Sequence, residues 1–166
     1  MTKNDNIELD QQGEENLVPQ LMDRAYALLT RREHSAHELK QKLARKAPRE
    51  VCNEVVEQLT RQGEQSDERF AEMLCRSRFN AGKGPLRLQR ELQDHQIEEH
   101  LAEAAMAEYE DSWSDLAEQV RIRKFGDKSP HSYADWAKQA RFLQQRGFAP
   151  GQIVNYTGSF QGSSRD

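Results

Sequence analysis

Gly82-Lys83-Gly84-Pro85-Leu86-Arg87-Leu88-Gln89-Arg90-Glu91-Leu92 is the clearest punctuation in the chain. The two glycines halt whatever precedes them. Pro85 has a fixed φ and no N–H to leave unpaired, so it suits the first turn of a new helix. Leu88 and Leu92 stand four apart and share a face, with Arg87 and Arg90 on its flank. The stretch predicts a basic helix launched from a connector.

Working outward from this helix, the same organisation appears on both sides. Before it, Leu21, Ala25, Leu28 and Leu29 make one apolar stripe through about Arg32. Ser35-Ala36-His37-Glu38 reads as a capping box that opens a second helix, with Leu39 and Leu43. Pro48 opens a third, with Val51, Val55, Val56 and Leu59, stopped by Gly63. Ser66-Asp67 then caps a helix with Phe70, Met73, Leu74 and Phe79, ending at Gly82. The Pro85 helix runs to about Asp94. Leu101, Ala104, Ala105 and Tyr109 mark the helix after it. A third round follows. Ser112-Trp113-Ser114-Asp115 offers a capping pattern before Leu116, Val120 and Ile122 or Lys124. Ser132-Tyr133-Ala134-Asp135 does the same before Trp136, Ala140 and Leu143. Pro150 starts a short last helix through Ile153 and Tyr156.

Three sets of three helices predict an all-α fold built from tandem repeats. Leu43, Leu92 and Leu143 hold one register in the second helices. Arg90 to Ile97 aligns residue by residue with Arg141 to Phe148. The expected division is an acidic disordered leader (1–20), repeats at 21–63, 64–110 and 111–157, and a flexible tail at 158–166. Stacked in sequence, such repeats would make an elongated curved body.

Composition agrees with thin cores. Leu, Ile, Val and Phe together are just under a fifth of the 166 residues. The net charge is only −4, so this low apolar content does not signal disorder. Charge is unevenly placed. Residues 31–49 carry seven Lys and Arg against Glu33 and Glu38, whereas 98–118 carry eight acids and no Lys or Arg. Such clusters are either solvated helix faces or fields that orient a charged partner. No run of eighteen apolar residues predicts a membrane span, and the polar acidic start is unlike a signal peptide. Cys52 and Cys75 carry no disulfide framework, which suits a reduced cytoplasmic protein.

The expectation for chemistry is binding rather than catalysis, with no cofactor and no metal. Gly82-Lys83-Gly84 lacks the preceding strand and following Ser/Thr of a phosphate loop. His34 and His37 are three apart, but the cysteines stand alone, and a zinc site needs four convergent ligands. Glu98-Glu99 sits among other acids, with nothing to set an acid apart from a base. Short three-helix units can be helix-turn-helix modules, so direct DNA binding is a competing reading. The base-reading side chains are not grouped, however, and the chain lacks an overall basic footprint. An interaction scaffold with another partner is a third reading.

The chain resembles the bacterial RecX regulatory proteins. The resemblance rests on Arg32-Glu33-His34-Ser35-Ala36-His37-Glu38-Leu39-Lys40-Gln41-Lys42-Leu43 and Ser66-Asp67-Glu68-Arg69-Phe70-Ala71. It continues through Gly82 to Leu92 and Lys138-Gln139-Ala140-Arg141-Phe142-Leu143-Gln144-Gln145-Arg146-Gly147-Phe148. These occur in the family's order across about 21–155. Two positions depart from it. Glu64-Gln65 replaces an aromatic-aliphatic pair after Gly63, and His95-Gln96 stands where a glycine is expected.

The resemblance implies a monomeric regulator that binds the RecA recombinase filament on single-stranded DNA. It would limit filament growth and suppress ATPase, strand-exchange and coprotease activity. Taken with the alternating charge, it nominates Arg31, Arg32, Lys40 and Lys42 in the first triplet. In the second it nominates Arg76, Lys83, Arg87 and Arg90, and in the third Arg121, Arg123, Lys124, Lys138 and Arg141. Their expected role is to meet acidic filament surface or the phosphates of single- or double-stranded DNA.

Overall fold

A computed structural model describes the backbone of residues 5–157 and the side chains of 16–154. Among the described residues every regular element is helical. The helices are α1 (Asp5–Leu29), α2 (Ala36–Leu43), α3 (Arg49–Arg61), α4 (Asp67–Asn80), α5 (Pro85–Asp94), α6 (Glu99–Ala107), α7 (Trp113–Phe125), α8 (Tyr133–Gln145) and α9 (Pro150–Thr157), with a 3₁₀ turn at Glu110–Ser112. The predicted tail at 158–166 and the first four residues of the leader lie outside the described residues.

The chain divides into two compact units, Met1–Phe70 and Ala71–Asp166. In the first, Leu21 and Ala25 of α1 meet Leu39 and Leu43 of α2 and Cys52, Val55, Val56 and Leu59 of α3. This is the predicted first triplet with one correction. The helix begins at Asp5 rather than Leu21, so 5–20 are not an irregular leader. The reason is burial: Leu17 and Val18 pack against the core, and that draws the helix back through Pro19. A mid-helix proline withholds an N–H from the turn before it, so packing has overridden propensity here.

In the second unit the predicted core positions Leu74, Leu88, Leu92, Ala105, Leu116, Val120 and Leu143 are all buried. Phe79, Tyr109 and Trp113 form an aromatic trio, with ring centroids 4.7–5.9 Å apart, that ties α4 to the start of α7. Ala104 and Ile122 are exposed, not inward as expected. Trp113 is also not part of a serine cap. Ser112 accepts no capping bond, and Trp113 itself is buried at the first position of α7. Ser35 and Ser132 do cap as predicted, accepting from the N–H groups of Glu38 and Asp135.

One chain-reversal device recurs. α3, α4, α5 and α8 end with a left-handed residue, at Gly63, Gly82, Gln96 and Gly147 respectively. At each, that residue and its successor donate back to the last turn; for α8 these bonds are Gly147 N–H to Gln144 and Phe148 N–H to Leu143. Gln96 and Ile97 repeat the pair onto Gln93 and Leu92, as the aligned lettering of 90–97 and 141–148 required. Gln96 is a non-glycine residue at φ +55° and is exposed. Its side chain pays a left-handed penalty that glycine would not. Gln96→Gly is expected to stabilise the chain by about 1 kcal/mol, after glycine's own entropy cost is subtracted. A urea unfolding midpoint that rises relative to the parent checks it.

Candidate anion-binding surface

The nominated cations have three different fates. In the first unit, α2 starts immediately after the turn that follows α1. Glu38, in the first turn of α2, therefore faces Arg32 and, one turn on, Lys42. Arg32 grips its carboxylate with two hydrogen bonds of 2.5 and 2.9 Å, and Lys42 reaches the same group at 2.9 Å. Burial pushes the Glu38 carboxyl up, but the Arg32 and Lys42 bonds outweigh it and hold the group at about 2. Lys42 also donates to Nε2 of buried His34, whose Nδ1 side faces the Arg32 carbonyl at 3.0 Å. Burial pushes His34 below its ordinary value, so this ring is neutral and bonded on both nitrogens. Arg32 and Lys42 are thus occupied holding the α1–α2 junction. Arg31 is exposed and Lys40 half-buried, and neither has an ion-pair partner within 4 Å among the described residues.

The departure at Gln65 belongs to this junction. Gln65 is buried, accepts from the Thr60 hydroxyl at 2.7 Å, and donates to the His34 carbonyl and to Asp67. Asp67 in turn accepts the Ala36 N–H at 2.8 Å. A polar network fills the place where an apolar pair was expected, and every one of these groups is satisfied.

Arg121 corrects the sequence reading outright. It is 2% exposed and cannot belong to a surface. Its Nε and Nη2 chelate Glu118 at 2.7 and 2.8 Å. Its Nη1 reaches the carbonyls of Gly126 and Lys128 and Oε1 of Gln139. The turn after α7 folds back over the helix, and Arg121 supplies the donor for two of its carbonyls.

The other second-unit cations lie at the surface. Lys83 follows Gly82 at the end of α4. The Gly84 N–H donates to the Arg146 carbonyl at 2.8 Å and the Leu86 N–H to the Gly147 carbonyl at 3.0 Å. The N-terminal donors of α5 are therefore spent on the end of α8, and the glycine pair is a connector, not a phosphate cradle. This junction brings Arg146 beside Lys83. Arg146 went unselected in the sequence reading, although it sits four residues after Phe142 and just before Gly147. Its guanidinium lies 5.3 Å from the Phe142 ring centroid and donates to the Ala81 carbonyl at 3.1 Å. Lys124 lies 5.9 Å from the same ring, and Lys138 6.0 Å from Phe125, which meets Phe142 edge-on.

The result is a hollow of about 200 Å³ lined by Arg123, Lys124 and Arg146 over Gly82, Val120 and Phe142, with no carboxylate in its lining. Lys83 registers the crowding of charge. Burial first, then repulsion from Arg146 and Arg87, lowers its ammonium below the ordinary lysine value. An anion would relieve that repulsion. On α5, Glu91 takes up Arg78 at 2.5 Å and Arg87 at 3.1 Å, while Arg90 is exposed without an ion pair among the described residues. Arg76 is exposed and bonds Tyr109, and Arg141 is exposed on α8. The structure thus brings Arg123, Lys124 and the added Arg146 together beside Lys83, and it leaves Arg31 and Lys40 in the other unit.

For chemistry other than binding, the described residues offer little. They include no group of three or more His, Cys, Asp or Glu able to hold a metal ion. Burial raises both thiols, Cys75 to about 11, so neither is an activated nucleophile. No helix among them is long and apolar enough to cross a membrane.

Comparison with known proteins matches this architecture domain by domain. Family profiles described as the first, second and third three-helix domains of RecX match residues 22–59, 66–106 and 110–156. Regulatory protein RecX of Stenotrophomonas maltophilia (strain R551-3) is 42% identical over 128 residues, covering 76% of this chain and 78% of that protein. Regulatory protein RecX of Halorhodospira halophila is 39% identical over 133 residues, covering 79% and 82%. The crystal structure of RecX from Lactobacillus salivarius shares the fold with a TM-score of 0.71 at 19% identity, covering 86% of this chain and 95% of that one. A second crystal structure, of a regulatory protein RecX, gives 0.76 at 17% identity, covering 94% and 78%. With all three domains matched in order and relatives at about 40% identity over most of its length, this chain belongs to the RecX family of regulatory proteins.

Proposed function

We propose that the chain binds RecA filaments on single-stranded DNA as a monomer. By doing so it limits filament growth and lowers recombinase, ATPase and coprotease activity, by contact rather than catalysis. The family resemblance implies the target. The observation that carries the contact is the carboxylate-free hollow where Arg123, Lys124 and Arg146 converge beside Lys83. Cations that repel one another in the free protein are held ready for a polyanion, either DNA phosphate or an acidic filament face. Exposed pairs contribute only about 0.2–1 kcal/mol each, so the contact draws on several together.

RecA ATPase on single-stranded DNA, with substoichiometric protein, tests the reading. Inhibition is expected. Replacing Lys83, Arg123 and Lys124 together with alanine is expected to raise the half-inhibitory concentration about ten-fold with helicity unchanged. Unchanged inhibition in that variant would remove the hollow from the interface. Absence of inhibition by the parent protein would sink the reading itself. Tight duplex binding without RecA, with a salt slope near −0.9 per neutralised phosphate, would favour the direct DNA-binding alternative.

A further inference from the structure

We propose that the groove between α5 and α6 docks a basic amphipathic helix of a partner protein, its apolar row on Met106 and Ala107 and its Lys or Arg side chains on Glu103 and Glu110. The inference goes beyond the filament reading and does not depend on it. A groove edged by carboxylates repels the nucleic acid that a cationic hollow attracts.

Glu103, Met106, Ala107 and Glu110 follow one another at i, i+3, i+4 and i+7. On α6 and the 3₁₀ turn that follows it, this spacing makes one stripe, apolar at its centre and acidic at both ends. The stripe lines a groove of about 520 Å³. Pro85 and Gln89, one turn apart, line it from α5, and Trp113 and Gln152 complete it. No Lys, Arg or His is among the lining residues. Glu103, Ala107 and Glu110 are exposed and Met106 is half-buried, whereas Ala105 takes the inward side of α6. The core therefore makes no use of the stripe.

Charge complementarity selects the occupant. Within the acidic run 98–118, Glu118 is held by Arg121, and Glu98 lies 3.4 Å from His100. Glu103 and Glu110 have no ion pair within 4 Å among the described residues. Lys and Arg lay their methylene stems on apolar surface and keep their charged heads in water. Met106 and Ala107 between two carboxylates accommodate both parts of such a side chain, and a methionine adapts to what packs on it. A helix with apolar anchors three or four residues apart matches the apolar centre of the stripe. An apolar helix without cations would desolvate both carboxylates unpaired, at a cost that excludes it.

The test uses the full chain and a fluorescein-labelled peptide helix with leucine at every third and fourth position and lysine on both flanks. One control peptide carries glutamate for lysine, the other serine for leucine. Fluorescence anisotropy is expected to show the basic amphipathic peptide bound about ten-fold tighter than either control. Glu103→Gln with Glu110→Gln is expected to weaken that binding about ten-fold. Glu54→Gln with Glu57→Gln, the same loss of charge at exposed positions of α3, is expected to leave it within about two-fold. Ala107→Lys, a helix-compatible change at an exposed position, sets a cation in the groove and is expected to remove most of the binding. None of these positions is buried, so unfolding midpoints should stay with the parent. Equal binding of the three peptides, or equal losses in the two glutamine pairs, overturns the proposal. Self-association of the parent that the Glu103/Glu110 pair of changes abolishes assigns the groove to a second copy and overturns it too. RecA ATPase inhibition is measured separately, so the groove and the filament reading stand or fall independently.

Discussion

Gly147→Ala is expected to cost about 2–6 kcal/mol of stability. Two penalties combine at one position. Gly147 has φ +93°, a conformation that L side chains rarely adopt, and forcing one there costs about 1–3 kcal/mol. A Cβ there would also stand 2.5 Å from Cβ and 2.7 Å from the backbone nitrogen of Arg87, so backbone would have to move, at about 1–3 kcal/mol more. The close approach exists because the carbonyls at the end of α8 accept from the first N–H groups of α5. Other glycines separate the two terms. Gly126 shares the strained geometry, at φ +89°, but has nothing within 4 Å of its absent Cβ. Gly126→Ala should therefore carry only the strain cost. Gly151, in α9 with open space around it, should accept alanine at no cost or with a small gain. Urea unfolding should rank the three variants in that order. If Gly147→Ala proved no worse than Gly126→Ala, the backbone contact between α5 and α8 would be wrong.

Arg121→Met is expected to cost about 2–3 kcal/mol and to leave RecA inhibition, measured per folded molecule, unchanged. The variant keeps much of the side-chain volume and removes the donors. Buried Gln139 and two half-buried carbonyl bonds of the turn then lose their donor. Removing one member of a fully buried ion pair costs about 3–5 kcal/mol. The effect here is smaller, because the Glu118 side chain is 23% exposed and can rehydrate. Arg121→Lys should recover only part of the loss. An ammonium keeps the charge but cannot chelate Glu118 while spanning to Gln139. The Lys83/Arg123/Lys124 variant should behave in the opposite way, with stability kept and inhibition weakened about ten-fold. A fall in inhibition for folded Arg121→Met would return Arg121 to the contact surface.

Much of the fold was legible because its signals are local. Pro85, Gly82 and the Leu88/Leu92 spacing marked α5 at the residues it occupies, Pro85–Asp94. The register of Arg90–Ile97 against Arg141–Phe148 reappears as two chain reversals with the same bonds. Where reading failed, packing had overruled local preference. Leu17 and Val18 found a core and carried α1 back through Pro19. The candidate site was less legible, because a basic residue at an outward-looking position carries no mark of its future partner. Arg32, Lys42 and Arg87 read as free cations, and each proved to share a glutamate. Arg146 read as incidental, yet the α4–α5 connector and the end of α8 place it in the hollow.

The sequence alone determined the helices, their triplet grouping and the family, because these rest on spacing, caps and lettering within a few residues of each other. Only the tertiary structure decided which cations face outward. Arg121 and Arg123 stand two apart in one helix, yet one is sealed under the Gly126–Lys128 turn and the other lines a hollow with no carboxylate in its lining. The difference lies in the acceptors that meet them. Those come from Gly126, Lys128 and Gln139 for the first, while the second shares a hollow with Lys124 and Arg146 and no carboxylate, and the energy of a charge is set by what distant segments bring beside it.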